Sequence, residues 1–301
     1  MRILIGVDGS PASTTACELV ASRTWPLGTR VTLLGAVEIL TDWTGLVPPS
    51  ANDFESRREA MHFALEDRAT GLESAALAVD TVVESGRAAD LLMTRADESF
   101  ADLIVVGSRG LGPWTSAVMG SVSAELVDHA GCPVLVARSP TFSRMLLASD
   151  GTPSSRAIPG ILAAWGTAFR GVPVEVLSVA PREGFITPWA IWADDGDDEP
   201  ESDASLHQAI AEGVADELME LGFHAAAISR KGDASRLIVA ESREWGADLI
   251  VTGSRGIGTL HRLMGGSVAH DVLMHARSSV LVIRGSVPAP VARAVASVAR
   301  A

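Results

Sequence analysis

The 301-residue sequence has almost no lysine and little cysteine. Of its 24 basic residues only Lys231 is a lysine, and it does not lie in a Gly-x4-Gly-Lys-Ser/Thr loop, which excludes a lysine-dependent P-loop. The two cysteines, Cys17 and Cys132, have no metal-ligand spacing, and we predict two buried thiols. The apolar stretches are only strand-length and the chain begins directly with one of them. We therefore expect no transmembrane helix, no signal peptide and a cytoplasmic protein.

Positive charge is scarce throughout the chain. The formal net charge is −13, which divides into −8 for residues 1–140 (10 basic minus 18 acidic) and −5 for residues 141–301 (14 basic minus 19 acidic). Neither half has basic residues to form a surface for polyanions. Nucleic acid and anionic membranes are therefore not expected as partners.

The sequence does contain a tandem duplication. Residues Gly107–Val122 begin with Gly-Ser-Arg-Gly and end with Gly-Ser-Val, and Gly253–Val268 repeats this pattern 253 − 107 = 146 residues later. A second landmark, Asp8 followed by Gly-Ser, recurs as Asp150 followed by Gly-Thr. This period is too long for a solenoid repeat and matches a whole globular domain. We predict domains at residues 1–138 and 144–285, followed by a tail at 286–301.

Strand-like apolar runs alternate with segments of helical periodicity in each half. The predicted strands are Arg2–Val7, Arg30–Val37, Ala78–Glu84, Leu103–Val106, Val134–Ala137, Met145–Ser149, Val174–Val179, Ala225–Ser229, Leu249–Thr252 and Val280–Ile283, and the predicted first-half helices are Ser13–Ser22, Glu55–Leu77, Ala88–Phe100 and Ser121–Ala130. This alternation predicts an α/β fold with two tandem doubly wound parallel five-stranded sheets, whose ligands bind beyond the carboxyl ends of the strands. The final strand of each half is an apolar edge, so we expect the halves to pack face to face about a pseudo-twofold axis through these strands.

Two segments lie outside the repeat. Residues 194–203 form an acidic run with one glycine and one proline, which could supply metal ligands or form a solvated loop. The glutamate that a calcium loop needs at its twelfth position is missing, so the solvated loop is preferred and no metal site is assigned. The tail is either a short frayed helix or disordered, and no function is assigned to it.

The repeated glycine loop is suited to binding an anion. Its glycines permit positive φ and a close approach of the backbone, so that amide groups can converge on a phosphate. Gly120 and Gly266 then lead into Ser121 and Ser267 at the start of a helix, where unpaired amides and the helix dipole add to the site. The alternative is that these glycines only form turns and that the serines only cap helices. The fixed spacing in both copies favours the anion site.

Asp8 and Asp150 each follow the first strand of their half, at the sheet edge that carries the glycine loops. A carboxylate at this position can accept hydrogen bonds from a ribose or from a base amine. It can also cap the following helix, and one residue could serve both purposes.

These motifs resemble the universal stress protein family, in particular its tandem, ATP-binding members. The resemblance covers both predicted domains and implies an adenine nucleotide alpha hydrolase-like fold that binds ATP, together with Mg²⁺, as a pseudo-dimer within one chain. The ligand-binding residues that it implies are Gly6, Asp8, Ala36, Gly107, Ser108, Arg109, Gly110, Gly112, Gly120, Ser121, Val122 and Ser123 in the first half, and Asp150, Val179, Gly253, Ser254, Arg255, Gly256, Gly258, Arg262, Gly266, Ser267 and Val268 in the second half.

The two copies differ in ways that predict unequal sites. No basic residue lies between Gly110 and Gly120, whereas the second half has His261 and Arg262 in the corresponding stretch. Ala148 replaces the glycine found at position 6, and its methyl group could crowd a ligand. Because a charge-assisted hydrogen bond contributes roughly 1.5–3 kcal/mol, we expect the second half to hold the phosphates of ATP more tightly.

Three classes of function remain open from the sequence. The first is a nucleotide-dependent sensor in a stress response, the second a slow nucleotide hydrolase or transferase, and the third a scaffold whose sites are vestigial. A hydrolase needs a positioned base and usually carboxylates for Mg²⁺, and no acidic pair recurs near both loops, so we favour the sensor and assign no catalytic residue. The regulatory protein partner, and any homodimer of whole chains, are not identified by the sequence.

Overall fold

A computed structural model describes residues 1–38, 51–110, 120–181, 203–254 and 268–284. The acidic run at 194–202 and the tail at 286–301 lie outside these residues. The strands are β1 Arg2–Val7, β2 Arg30–Val37, β3 Ala78–Ser85, β4 Leu103–Gly107, β5 Val134–Ala137, β6 Met145–Ala148, β7 Pro173–Ala180, β8 His224–Lys231, β9 Leu249–Ser254 and β10 Ser279–Arg284. The helices are α1 Pro11–Ala21, α2 Ala51–Ser74, α3 Ala88–Ser99, α4 Ser121–His129, α5 Pro153–Arg156, α6 Ile158–Ala164, α7 Asp203–Glu220, α8 Ala234–Trp245 and α9 Val268–His275, with a short 3-10 helix at Gly166–Ala168.

The strands form one ten-stranded sheet in the order β3-β2-β1-β4-β5-β10-β9-β6-β7-β8. All neighbours within a half are parallel, as predicted. Apolar side chains cover both faces of the sheet, and each of the two core clusters contains residues from both halves. The strand order reverses beside β1 and beside β6, which creates a crevice at the carboxyl edge of each half. Among the described helices, none is both long and apolar enough to cross a membrane.

The two halves join edge to edge, and the expectation of a face-to-face packing is wrong. β5 and β10 pair antiparallel, with Leu135 opposite Leu281, so the predicted edge strands do meet. Each strand would otherwise expose a row of unpaired backbone groups, and a shared ladder satisfies these groups more completely than stacked faces would. The apolar edge therefore indicated the right strands but not the geometry.

A reciprocal pair of arginines spans this junction. Arg138 follows β5, and its Nη2 donates to the carbonyl oxygen of Leu273 in α9 at 2.6 Å. Arg284, the last residue of β10, donates from Nη2 to the carbonyl oxygen of Val127 in α4 at 2.7 Å. The two contacts are equivalent in the repeat, because 284 − 138 and 273 − 127 both equal 146. Each guanidinium lies near the negative end of a helix in the other half, which is a favourable position for a cation.

An aromatic cluster joins the halves on the other face of the sheet. Phe142 stacks on Phe169 with the ring centroids 5.3 Å apart, and the rings of Trp25 and Trp165 contact the same Phe169. The Arg23 guanidinium lies 4.3 Å from the centroid of Phe142, and its Nε donates to the other half at the Ala168 carbonyl. Buried aromatic pairs stabilise by roughly 0.5–1.5 kcal/mol beyond the area that they bury. The halves thus share a core on both faces of the sheet.

One ion pair between the third strand and third helix is reversed in sign between the halves. Glu84 of β3 pairs with Arg95 of α3, and at the equivalent positions Arg230 of β8 pairs with Glu241 of α8 at 3.0 Å. The reversal brings Glu241 near Glu175 on β7. Burial, and then the negative charge of Glu241, raise the pKa of the Glu175 carboxyl above its usual range. One oxygen of Glu175 is also buried without a hydrogen-bond partner.

Glu175→Gln is therefore expected to stabilise the protein at neutral pH. A carboxyl whose folded-state pKa is raised stabilises the fold at low pH and loses that contribution as pH rises through the raised value. The amide cannot ionise, so the variant should melt roughly 1–3 °C higher than the wild type at pH 7–8, with no difference near pH 4. Calorimetry across this range provides the measurement, and Glu59→Gln, which removes the same charge from an exposed position on α2, is the control. A melting temperature that does not change with Glu175→Gln would contradict the argument.

Candidate functional site

A cavity of about 590 Å³ lies at the carboxyl ends of β1 and β4, where the strand order of the first half reverses. It is lined by Gly6, Val7, Asp8, Ser13, Leu34, Ala36, Ala88, Leu92, Val106, Gly107, Arg109, Gly110, Gly120, Ser121, Val122 and Ser123. All the predicted first-half residues are in this lining except Ser108, which is described but does not line the cavity, and Gly112, which lies outside the described residues. The volume is within the usual range of small-molecule sites.

Gly107 and Gly110 are required for a close approach of the backbone and not for positive φ. A Cβ added to Gly107 would lie 2.5 Å from the backbone carbon of Ala12, and one added to Gly110 would lie 2.7 Å from Asp8 Oδ2. Neither glycine has a positive φ, which corrects our expectation for this loop. The positive φ occurs instead at Gly9, at 78°, directly after Asp8. The tight turn therefore follows the first strand, and the glycine loop packs against it.

Helix α4 directs its amino end at the cavity. Gly120 is its N-cap, with φ −66° and ψ 143°, and the Gly120 amide donates to the Ser108 carbonyl at 3.0 Å. This bond joins the two described ends of the loop. The first bond of the helix runs from Ala124 N to the Gly120 carbonyl. The amides of residues 121–123 precede that bond and form the positive end of the helix dipole, which favours an anion.

The N-cap of α1 is Ser10 and not Asp8. Ser10 Oγ accepts from the Ser13 amide at 3.2 Å, while Asp8 Oδ1 accepts from the Ser10 amide at 3.0 Å. The amide of the capping residue Ser10 therefore holds Oδ1 of Asp8, and Oδ2 of Asp8 faces Gly110. Asp8 is half-buried at the base of the cavity. Of the two roles that the sequence left open for this carboxylate, helix capping is carried by its neighbour.

The apolar side of the cavity was missed by sequence reasoning. Leu34 and Val106 belong to β2 and β4, and Ala88 and Leu92 lie one turn apart at the start of α3. A signal was present, because a helix beginning with alanine and carrying leucine or isoleucine four residues later follows the third strand in both halves. Apolar residues with this spacing are usually core residues, and only the structure places these four around a cavity.

The described lining contains one carboxylate, Asp8, and one cation, Arg109. Arg138 lies close enough for repulsion: burial, and then the positive charge of Arg109, lower the pKa of Arg138 to about 10. Its guanidinium is bonded to Leu273 and Ser278 of the other half. The lining itself therefore carries almost no net charge.

The corresponding edge of the second half is only partly described. Asp150 Oδ1 accepts from the Thr152 amide at 3.1 Å and from the Ser155 hydroxyl at 2.9 Å, so this carboxylate is bonded into its own turn. Gly253 approaches α5, where an added Cβ would lie 3.0 Å from the Ser155 amide. Val179 is the next-to-last residue of β7 and is partly buried. Ser254 ends β9, Val268 begins α9, and the predicted residues Arg255, Gly256, Gly258, Arg262, Gly266 and Ser267 lie outside the described residues.

Both cysteines are buried thiols, as predicted. Burial raises the pKa of Cys17 to about 12 and that of Cys132 to about 12. Neither thiol is available as a nucleophile near neutral pH. In the described part of the chain, no group of three or more His, Cys, Asp or Glu side chains could hold a metal ion.

Comparison with known proteins agrees with the resemblance seen in the sequence. The model of the universal stress protein family matches residues 1–138 and again 141–284. The chain belongs to the universal stress protein family. This universal stress protein is 28% identical over 303 residues to a universal stress protein of Mycobacterium tuberculosis strain H37Rv, covering 95% of this chain and 97% of the relative. A single-domain relative from Thermus aquaticus is 34% identical over 142 residues, covering 45% of this chain and 97% of the relative.

Solved structures of the family share the fold of this universal stress protein. A universal stress protein from Archaeoglobus fulgidus superposes with a TM-score of 0.68 at 17% identity, covering 95% of this chain and 98% of the other. A second, from Pseudomonas aeruginosa, has a TM-score of 0.59 at 19% identity and covers 100% and 98%. The tandem domains thus have the adenine nucleotide alpha hydrolase-like fold, as predicted.

Proposed function

We propose that this universal stress protein is a cytoplasmic regulator whose state depends on a bound adenine nucleotide, with ATP among its ligands. The observation that carries the proposal is the first-half cavity, which combines a glycine loop, a helix amino end and an apolar side at the switch point of a doubly wound sheet. Ligands of such sheets bind at this position. The change in nucleotide occupancy would alter the surface seen by a regulatory protein partner.

The lining divides into parts that suit the parts of a nucleotide. Leu34, Ala36 and Leu92 provide an apolar side for a base. Asp8, held by the Ser10 amide, has an oxygen available for ribose hydroxyls. The α4 amides and Arg109 suit phosphate oxygens, because an arginine can bind a phosphate through two hydrogen bonds. Mg²⁺ accompanying ATP would be held mainly by the phosphate oxygens and water, since Mg²⁺ usually binds few protein carboxylates.

In this proposal the second-half site binds ATP more tightly than the first-half site. The loop sequence of the second half contains His261 and Arg262, where the first half has Thr115 and Ser116. Both residues lie outside the described residues, so the order of affinity remains a prediction from charge. Ala148 is buried against the α8 side of the sheet, and we expect its single methyl group to weaken binding less than the added cations strengthen it.

Asp8→Ala is expected to weaken adenosine and ATP binding at the first-half site by the same factor, about 10–100-fold. The ribose is common to both ligands, and a charge-assisted hydrogen bond contributes roughly 1.5–3 kcal/mol. Calorimetric titration in an Asp150→Ala, Gly256→Val background, which disables the second site, measures the effect. Asp80→Ala removes the same charge from an exposed position on β3 and should change neither affinity.

Mass spectrometry of small molecules released from freshly purified protein tests the proposal as a whole. An adenine nucleotide should be released, and its phosphate number identifies the form bound. The same samples incubated with ATP show whether ATP is converted to ADP, which separates a regulator from a slow hydrolase. The scaffold alternative prevails if the protein releases no nucleotide and calorimetry detects no binding of adenosine, AMP or ATP.

A further inference from the structure

The first-half site has a single basic residue in the whole of its loop. Arg109 is the only cation in the described lining, and residues 111–119, read from the sequence alone, contain none. The segment from Gly107 to Ser123 therefore contains one arginine and no lysine or histidine. Asp8, in the same lining, offsets that charge.

Two further arginines near the lining are engaged in other contacts. Arg87, directly before Ala88, pairs with Asp90 and Glu125. Arg138 donates to the Leu273 carbonyl at 2.6 Å and to the Ser278 carbonyl at 3.2 Å, both in the second half. It is also repelled by Arg109. Turning its guanidinium toward a ligand would break both contacts at the junction of the halves. We therefore count Arg109 and the amino end of α4, which is equivalent to roughly half a positive charge, as the cationic groups of the site.

These groups match one phosphate and not three. A phosphate monoester carries about −1.5 to −2 charges near neutral pH. Arg109 can bind two of its oxygens through two hydrogen bonds, while the α4 amides bind the remaining oxygen. ATP adds two ionised phosphate groups that would find no further cation among the described lining residues. They would also enter a half of the protein whose net charge is 10 − 18 = −8, so long-range repulsion opposes them as well.

We propose that the first-half site takes an adenosine ligand with a single phosphate group, the AMP class, in preference to ATP. This inference rests on the proposed function and specifies the ligand of one of its sites. The second half, with two more cations in its loop sequence, is the site expected to hold ATP. One chain would then bind two adenine nucleotides of different phosphate number.

The test uses the full-length chain with the second site disabled by Asp150→Ala and Gly256→Val. Calorimetric titrations with AMP, ATP and Mg²⁺-ATP at low ionic strength should show AMP binding at least tenfold tighter than Mg²⁺-free ATP. Mg²⁺ neutralises part of the triphosphate charge, so the affinity for Mg²⁺-ATP should be closer to that for AMP. Raising the salt concentration should also narrow the difference between ATP and AMP, because exposed charges are screened.

A charge added at the site provides the matched variant. Ser121 is the exposed first residue of α4 and lines the cavity. Ser121→Lys should raise the affinity for ATP more than that for AMP and bring the two within about threefold, whereas Ser121→Gln, of similar length and no charge, should leave their ratio unchanged. Circular dichroism of both variants should match that of the wild type and so show that they are folded.

The results of these titrations distinguish a failure of the proposed AMP preference from a failure of the proposed nucleotide binding. If the disabled chain binds Mg²⁺-free ATP as tightly as AMP or more tightly, the inference is overturned while nucleotide binding stands. If AMP is preferred but neither Mg²⁺ nor Ser121→Lys changes the ratio, charge is not the cause and the inference also fails. If neither the disabled chain nor the wild type binds any adenine nucleotide, the proposed function itself is wrong.

Discussion

Gly110→Val is expected to lower the nucleotide affinity of the first-half site by at least about 100-fold without unfolding the protein. A Cβ at this position would lie 2.7 Å from Asp8 Oδ2, which is too close for any real contact, and valine adds two further methyl groups. Either the loop must move away from β1 or Asp8 must leave its position. The proposal assigns both groups to the ligand. Losing two charge-assisted hydrogen bonds, at roughly 1.5–3 kcal/mol each, lowers the affinity by about 100-fold or more.

The measurement is calorimetry with AMP on chains that also carry Asp150→Ala and Gly256→Val. Gly71 offers a matched control on α2, because an added Cβ there meets no atom within 4 Å. Gly110→Ala should already weaken binding, whereas Gly71→Ala should leave binding unchanged and stabilise the helix by roughly 0.5–1 kcal/mol. Gly110→Val combined with Gly256→Val in an otherwise wild-type chain should bind no nucleotide. Wild-type affinity in a folded Gly110→Val protein would show that the site is assigned to the wrong loop.

The helix ends show where sequence reasoning reached its limit. Helix α2 was predicted to run to Leu77 but ends at Ser74, because Ala76 has a φ of 62° and reverses the chain. Helix α3 ends one residue early for the same reason, with Phe100 at a φ of 51°. Glycine normally marks such an end. Without it, the periodic pattern continues past the point at which the helix stops. Helix α1 was predicted to begin at Ser13 but begins two residues earlier, at Pro11. Ser10 followed by Pro11 is an ordinary helix start signal, which the apolar periodicity alone did not reveal.

The sequence predicted the parts of the candidate site that depend on backbone conformation, but not the parts that depend on side-chain packing. The glycine loop and Asp8 stand out because the duplication repeats them at fixed spacing, and the structure brings them to one cavity. Ala88 and Leu92 could not be assigned from the sequence, since an apolar residue facing a cavity has the same periodicity as one facing the core. The edge-to-edge pairing of the halves could not be predicted from the sequence for a related reason. An apolar last strand shows that it is covered, but not whether a strand or a sheet face covers it.

The two halves are expected to remain associated when the linker is cut. Pro140 and Thr141 are exposed, so a protease site placed between them can be cleaved in the folded protein. The antiparallel β5–β10 ladder, the reciprocal contacts of Arg138 and Arg284, and the packing of Trp25 on Phe169 all act across the junction without needing the linker. Phe142 stays with Phe169 in the second half after cleavage, so the aromatic contact that crosses the junction is that of Trp25 with Phe169, with ring centroids 6.1 Å apart. The nicked protein should therefore behave as one particle near the 31.4 kDa of the intact chain.

A buried charge at the junction should reverse this result. Leu281 lies opposite Leu135 at the centre of the β5–β10 pair, and both side chains are fully buried. Leu281→Arg places an unpaired charge there, which costs several kcal/mol in the joined state and much less when the edge meets water. Light scattering of nicked Leu281→Arg should show separate halves, while Leu27→Arg, at a fully exposed leucine, should leave the nicked protein joined. Wild-type halves that separate after cleavage would mean that the linker, and not the shared sheet, holds the two domains together.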